Sequence, residues 1–137
     1  RWALYTETLG KDLGLYTNPY QYLGHLSDAM HRAIRLVVDV SLHTKNMTRE
    51  EAIQYMRDNE RISIEEATSE IERYMAIPGQ ALSYKIGQIT ISRMREKYQK
   101  ELGNKFNLPA FHTQLLEGGN MPLEVLENKL AVWAKSY

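Results

Sequence analysis

The stretch HLSDAMHRAIRLVVDVSLH, residues 25–43, decides the fold. At about 100° per residue, His25, Asp28, His31, Arg32, Arg35, Asp39 and His43 fall within an arc of roughly 120°. The rest of the wheel is Leu26, Ala29, Met30, Ala33, Ile34, Leu36, Val37, Val38, Val40 and Leu42, with two serines. A surface helix carries one apolar stripe and a wide polar face. Here the proportions are reversed, which predicts a helix buried on most sides. Its polar arc then lines either an internal network or a cavity, because charges are costly to bury unless paired. Arg35 and Asp39 stand four residues apart and can pair, as can Asp28 and Arg32. One reading is a structural ion-pair network. The other is a cleft wall that binds an anionic group, such as a substrate carboxylate, through Arg32 or Arg35.

Helix signals continue on both sides of this stretch. Arg1 to about Leu13 reads as helix, closed by Gly14. Asn18 caps the central helix, with Pro19 at its first position, where a missing N–H does no harm. That helix is expected to run to about His43. TREE (48–51) and SIEE (63–66) are capping boxes, each opening a helix. Pro78-Gly79 breaks the chain, and a long helix follows to about Leu102, ended by Gly103. Asn107 and Pro109 start a short helix that stops at Gly118-Gly119, and Pro122 starts the last. The expected fold is all-α, with about six or seven helices in one helical domain or subdomain over residues 1–137.

The metal-ligand spacings are incomplete. His31 has no His or Glu four residues on. Asp39 and His43 make a two-ligand half-site with no evident third ligand. No metal site is expected within this chain.

Positions 80, 84, 87 and 91 lie within about 60° of one another on a continuous helix. Gly87 there lets something approach the backbone closely. A packed helix is one candidate; the other is a cleft into which Tyr84 projects its phenol beside Gln80. A tyrosine hydroxyl is a good neutral donor to a developing oxyanion. Trp2, Phe106, Phe111 and Trp133 read as core anchors.

The 137 residues are enough for a compact core, and 43% are hydrophobic, which fits a globular protein. Lys and Arg total 17 and so do Asp and Glu. Zero net charge argues against nucleic acid as the main partner. There are no cysteines, which excludes a disulfide scaffold and thiolate chemistry. No apolar run approaches the length of a membrane span. The chain opens directly on RWALYTETLG, without an initiator Met or a signal peptide. That reads as a fragment whose N-terminal part is missing.

WALYTE, MHRAIRLVVDVSLH and IPGQALSYKIG, in that order, resemble the C-terminal part of the bacterial family catalogued as domain of unknown function 885. The resemblance covers essentially the whole chain, from Trp2 to about Trp133. It implies the helical C-terminal portion of a gluzincin-type, zincin-like metallopeptidase, often secreted or a lipoprotein, hence in the cell envelope or periplasm. In the family the first motif is typically E-G-W-A-L-Y-x-E, preceded by H-E-x-x-P-G-H-H. The upstream His pair and the Glu before Gly-Trp resemble zinc ligands, and the upstream Glu a general base. This chain has Arg1 at the Gly position and contains none of those ligands. Zinc is therefore expected in the full-length protein and not on this chain alone, which is expected to be inactive.

Glu7 matches the second Glu of that motif. Arg32, Arg35, Asp39 and His43 match the family helix H-R-x-x-R-L-V-V-D-x-x-x-H, and Tyr84 matches the tyrosine of P-G-Q-A-L-S-Y-K-I-G. By that likeness Tyr84 would stabilise the transition state. Arg32, Arg35, His43 and Gln80 would bind a peptide-like substrate, with Glu7 and Asp39 supporting them. The alternative is a non-enzymatic helical binding or scaffolding module with a buried structural polar network.

Overall fold

A computed structural model describes residues 2–137; Arg1, where the resemblance departs from its family, lies outside the described residues. The chain forms α1 (Trp2–Glu7), α2 (Pro19–Thr44), α3 (Arg49–Asn59), α4 (Ile64–Ala76), α5 (Leu82–Leu102), a 3-10 turn (Gly103–Lys105), α6 (Leu108–Leu116) and α7 (Leu123–Ala134). Among the described residues there is no strand, so the fold is all-α as expected. The chain divides into two compact units, residues 1–88 and 89–137.

In the first unit α2 packs on α3 and α4, and α3 packs on α4. Ile34 and Val38 of α2 meet Ala52, Ile53 and Met56 of α3, Ala67, Ile71 and Tyr74 of α4, and Ala81. Met56 and Ile71 are fully buried. Each such side chain contributes about 1.5–3 kcal/mol, which fixes which side of α2 faces inward.

The caps work as the sequence implies. Asn18 accepts the Gln21 N–H at 3.1 Å. Thr48 accepts the Glu51 N–H at 3.2 Å, and the Glu51 carboxylate accepts the Thr48 N–H at 2.8 Å. Ser63 and Glu66 repeat that reciprocal pair. Each cap satisfies donors that would otherwise be orphaned in the first turn, worth about 1 kcal/mol.

Three expectations are corrected. The first helix ends at Glu7 and not near Leu13. The N–H groups of Thr8, Leu9 and Gly10 bond back only three residues, to Tyr5, Thr6 and Glu7, so the chain tightens into successive turns. The Tyr16 hydroxyl then donates to the Glu7 carbonyl at 3.1 Å. Second, within this chain α2 is not buried on most sides. Its inward residues are Ile34, Arg35, Val38, Asp39 and Ser41, whereas Leu23, Leu26, Met30 and Val37 are exposed. Within this unit α3 and α4 cover one side of the helix, and the apolar excess faces outward.

Third, Gln80 does not share a helical face with Tyr84 and Gly87. It lies in a turn, because α5 begins only at Leu82. Gly79 has φ +79°, a left-handed conformation that no helix propagates and that glycine adopts without strain.

The second unit is smaller. Phe111 and Leu115 of α6 pack with Leu126 and Leu130 of α7. The Trp133 ring lies 6.2 Å from Phe111 and 6.1 Å from Tyr98, the latter edge-on.

Candidate functional site

The site begins with a carboxylate and a turn. Asp39, 1% exposed, sits on the inner face of α2. Its Oδ1 and Oδ2 accept the Gly79 N–H at 3.0 and 3.1 Å, and Oδ2 accepts the Ala81 N–H at 3.2 Å. Charge-assisted bonds of this kind are the strong ones. They hold the Pro78–Ala81 turn against α2 and so fix where Gln80 points and where α5 starts.

His43 completes the arrangement. Its Nδ1 lies 2.9 Å from Asp39 Oδ1 and 2.8 Å from the Asp39 carbonyl. Both neighbours accept, so the hydrogen resides on Nδ1. Asp39 is thus shared between two backbone N–H groups and an imidazole. The expected Arg35–Asp39 pair does not form, because this carboxylate is already consumed.

Arg35 takes a different environment. It is 4% exposed, and its guanidinium lies 5.2 Å from the Tyr74 ring centre and 5.4 Å from that of Tyr84. Nη2 donates to Gln80 Oε1 at 3.1 Å. Nε is buried and has no partner among the described residues. Arg32, one helix turn back, places its guanidinium 5.3 Å from the same Tyr84 ring and 3.8 Å from Asp28. The expected Asp28–Arg32 pair is present. Two guanidinium groups therefore stack on one half-buried tyrosine, each gaining about 0.5–2 kcal/mol from the ring face.

A carboxylate network borders this group. Glu70 accepts from the Tyr74 hydroxyl and from Arg73 Nη2 at 2.5 Å. Burial pushes its carboxyl up. The bonds from Tyr74 and Arg73 and the charges of Arg73 and Arg35 outweigh that, so the net shift is downward. Burial and the bond to Glu70 push the Tyr74 phenol well above its ordinary value, so it remains a neutral donor. His31 lies between two carboxylates, with Nδ1 at 2.9 Å from Glu60 and Nε2 at 3.9 Å from Glu70.

Of the residues expected from sequence, the fold brings Arg32, Arg35, Gln80 and Tyr84 together, with Asp39 and His43 holding the turn that carries Gln80. Glu7 is engaged elsewhere, 3.9 Å from His25 Nδ1 and under the Tyr16 hydroxyl. Sequence reasoning placed His31 in the polar arc but did not connect it with Glu60, nor Tyr74 with Glu70. The spacing of Glu70, Arg73 and Tyr74 at i, i+3 and i+4 is a usable signal for part of that network. Nothing in the spacing joins His31 to Glu60, 29 residues away. Among the described residues no three His, Cys, Asp or Glu side chains gather to hold a metal ion. The Asp39–His43 half-site does not fit one either, since its carboxylate is committed to the Gly79 and Ala81 N–H groups.

The geometry can be set beside known proteins. A crystal structure of a protein provisionally described as a lipoprotein, from Colwellia psychrerythraea, superposes with a TM-score of 0.95 at 44% sequence identity. The match covers 99% of this chain and 23% of that one, so this chain spans about a quarter of its relative's length. No curated protein matches. No helix among the described residues is long and apolar enough to cross a membrane. The sequence pattern of one bacterial family of unknown function, number 885, matches residues 2–130. With all but the last seven residues and the first inside that match, the chain belongs to the domain of unknown function 885 family.

Proposed function

We propose that this chain is the helical portion of a zinc-dependent peptidase that binds substrate and stabilises the oxyanion. On this reading zinc is held by residues outside this chain. Arg32 and Arg35 present positive charge to a peptide-like substrate, with Gln80 and His43 supporting them, and the Tyr84 hydroxyl donates to the oxygen that becomes negative. The observation that supports this most is the stacking of two guanidiniums on the Tyr84 ring, at 5.3 and 5.4 Å. That arrangement fixes two cations against the ring that carries the hydroxyl donor, and fixed positive charge is where a developing anion is stabilised. The provisional description of the 44% identical relative as a lipoprotein points to a cell-envelope location.

The test is metal analysis and peptide hydrolysis on this chain alone and on the longer protein that carries it. Stoichiometric zinc and turnover are expected for the longer protein only. Stoichiometric zinc on this chain alone would contradict the assignment of the ligands elsewhere.

The rival is a non-enzymatic helical module. What favours it is the Glu60–His31 pair and the Glu70–Tyr74–Arg73 group, whose charged and polar side chains bond to one another. Absence of turnover in the zinc-loaded longer protein would support it.

A further inference from the structure

The guanidinium of Arg35 has one edge that carries both the Nε hydrogen and one Nη2 hydrogen, pointing the same way. A carboxylate fills that edge with two parallel bonds, one to each of its oxygens. In this structure no acceptor among the described residues fills that edge with two bonds. Gln80 Oε1 takes Nη2 at 3.1 Å, and Nε is left with no partner among the described residues at a position 4% exposed. A buried polar group without a partner is rare and costly in native proteins. Gln80 Oε1 takes only Nη2, which leaves the second donor of that edge open to another acceptor oxygen.

The charges around Arg35 say the same. The ion pairs nearby join other groups: Asp28 with Arg32, Glu70 with Arg73, and Asp39 with His43. Asp39 is further committed to the Gly79 and Ala81 N–H groups. Arg35 is left stacked between Tyr74 and Tyr84, facing a neutral amide. Gln80 itself is exposed and stands in a turn, so its side chain can swing off Arg35 without unpacking the core.

We infer that the Nε–Nη2 edge of Arg35 is a carboxylate receptor in which Gln80 is a displaceable stand-in, and that the carboxylate it takes is the free C-terminal group of a peptide. The carboxylate displaces the Gln80 amide oxygen and accepts from both donors, with Arg32 adding charge from its place over the same Tyr84 ring. This inference rests on the peptide-substrate reading above and deepens it: the site reads a chain end, which makes the enzyme act at the C terminus of its substrates. Another source of the same chemistry is an Asp or Glu side chain from elsewhere in the longer polypeptide.

The experiment compares an N-acetylated tripeptide as its free acid and as its C-terminal amide. Binding to the longer protein is followed by titration calorimetry, with zinc content and turnover measured on the same sample. The free acid is expected to bind roughly 10- to 100-fold more tightly, the difference made by a charge-assisted pair. Arg35→Lys keeps the charge but not the two-donor edge, and should remove most of that preference. Gln80→Ala removes the group that the carboxylate must displace, and should tighten free-acid binding several-fold; unchanged or weaker binding overturns the displacement. Equal affinity for acid and amide in the unaltered protein, or no binding of either, overturns the inference and assigns the edge to an internal carboxylate. Discrimination without turnover sinks the peptidase reading alone, and equal turnover of both peptides sinks this inference alone.

Discussion

Asp39 and Ala81 are 42 residues apart in sequence, yet the Asp39 carboxylate accepts the Ala81 N–H at 3.2 Å inside the protein. The same carboxylate holds Gly79 and His43. Local chain geometry at Pro78–Ala81 is therefore set by one side chain on a distant helix. Tyr84 follows one turn later, so its placement depends on the same bond.

Asp39→Asn is expected to cost about 2 kcal/mol. An asparagine offers one acceptor and turns a donor toward the remaining N–H groups, leaving at least one buried donor unpaired. Urea unfolding at neutral pH, with the midpoint compared at constant slope, measures it. A change within about 0.5 kcal/mol would mean that the turn holds itself.

Gly79→Ala should cost less, about 1 kcal/mol. A Cβ at Gly79 meets nothing within 4 Å, so its only penalty is the left-handed φ of +79°. Measured beside Asp39→Asn, the variant separates backbone strain from lost hydrogen bonds. A larger loss for Gly79→Ala than for Asp39→Asn would reverse their assigned importance.

Much of this was legible in the sequence. The two capping boxes, Asn18-Pro19 and Asn107 with Pro109 locate four helix starts because each cap is a bond between neighbours in the chain. The polar arc of residues 25–43 picked out Arg32, Arg35, Asp39 and His43. What failed was everything that depends on which distant group arrives first. Asp39 pairs with a turn and not with Arg35, because two N–H groups and an imidazole compete for it and their positions are set by packing. Within this chain the apolar residues Leu23, Leu26, Met30 and Val37 of α2 stay exposed, because a helical wheel counts residues and not which neighbours lie on each side.

The acid limb of stability should depend on Glu70. Its folded pKa lies below the ordinary 4.5, so its contribution is fully present above that value and is lost as pH falls through the lowered one. Glu70→Gln should flatten the fall in the urea midpoint on going from about pH 6 to about pH 3. Tyr74 acts at the other end. Its raised pKa gives stability that is present below about pH 10 and lost as pH rises beyond it. Tyr74→Phe should shallow that alkaline limb. Unchanged limbs in both variants would show that the Glu70–Tyr74 bond adds nothing in solution.

Arg35→Met should leave stability unchanged to within about 1 kcal/mol. The variant gives up two ring stacks and one bond to an amide, and it removes a buried charge that has no carboxylate of its own. Affinity of the longer protein for anionic peptides should fall. Loss of stability with unaltered affinity would make Arg35 part of a structural network instead.

The most direct test of the central claim is the turnover of Tyr84→Phe in the longer, zinc-loaded protein. Phenylalanine keeps the ring on which Arg32 and Arg35 stack and removes only the hydroxyl. The expected result is a fall in kcat of roughly 100-fold, with zinc content and unfolding midpoint unchanged, as for loss of one oxyanion donor. A Tyr84→Phe protein that turns over peptides as fast as the parent would contradict it and return Tyr84 to packing.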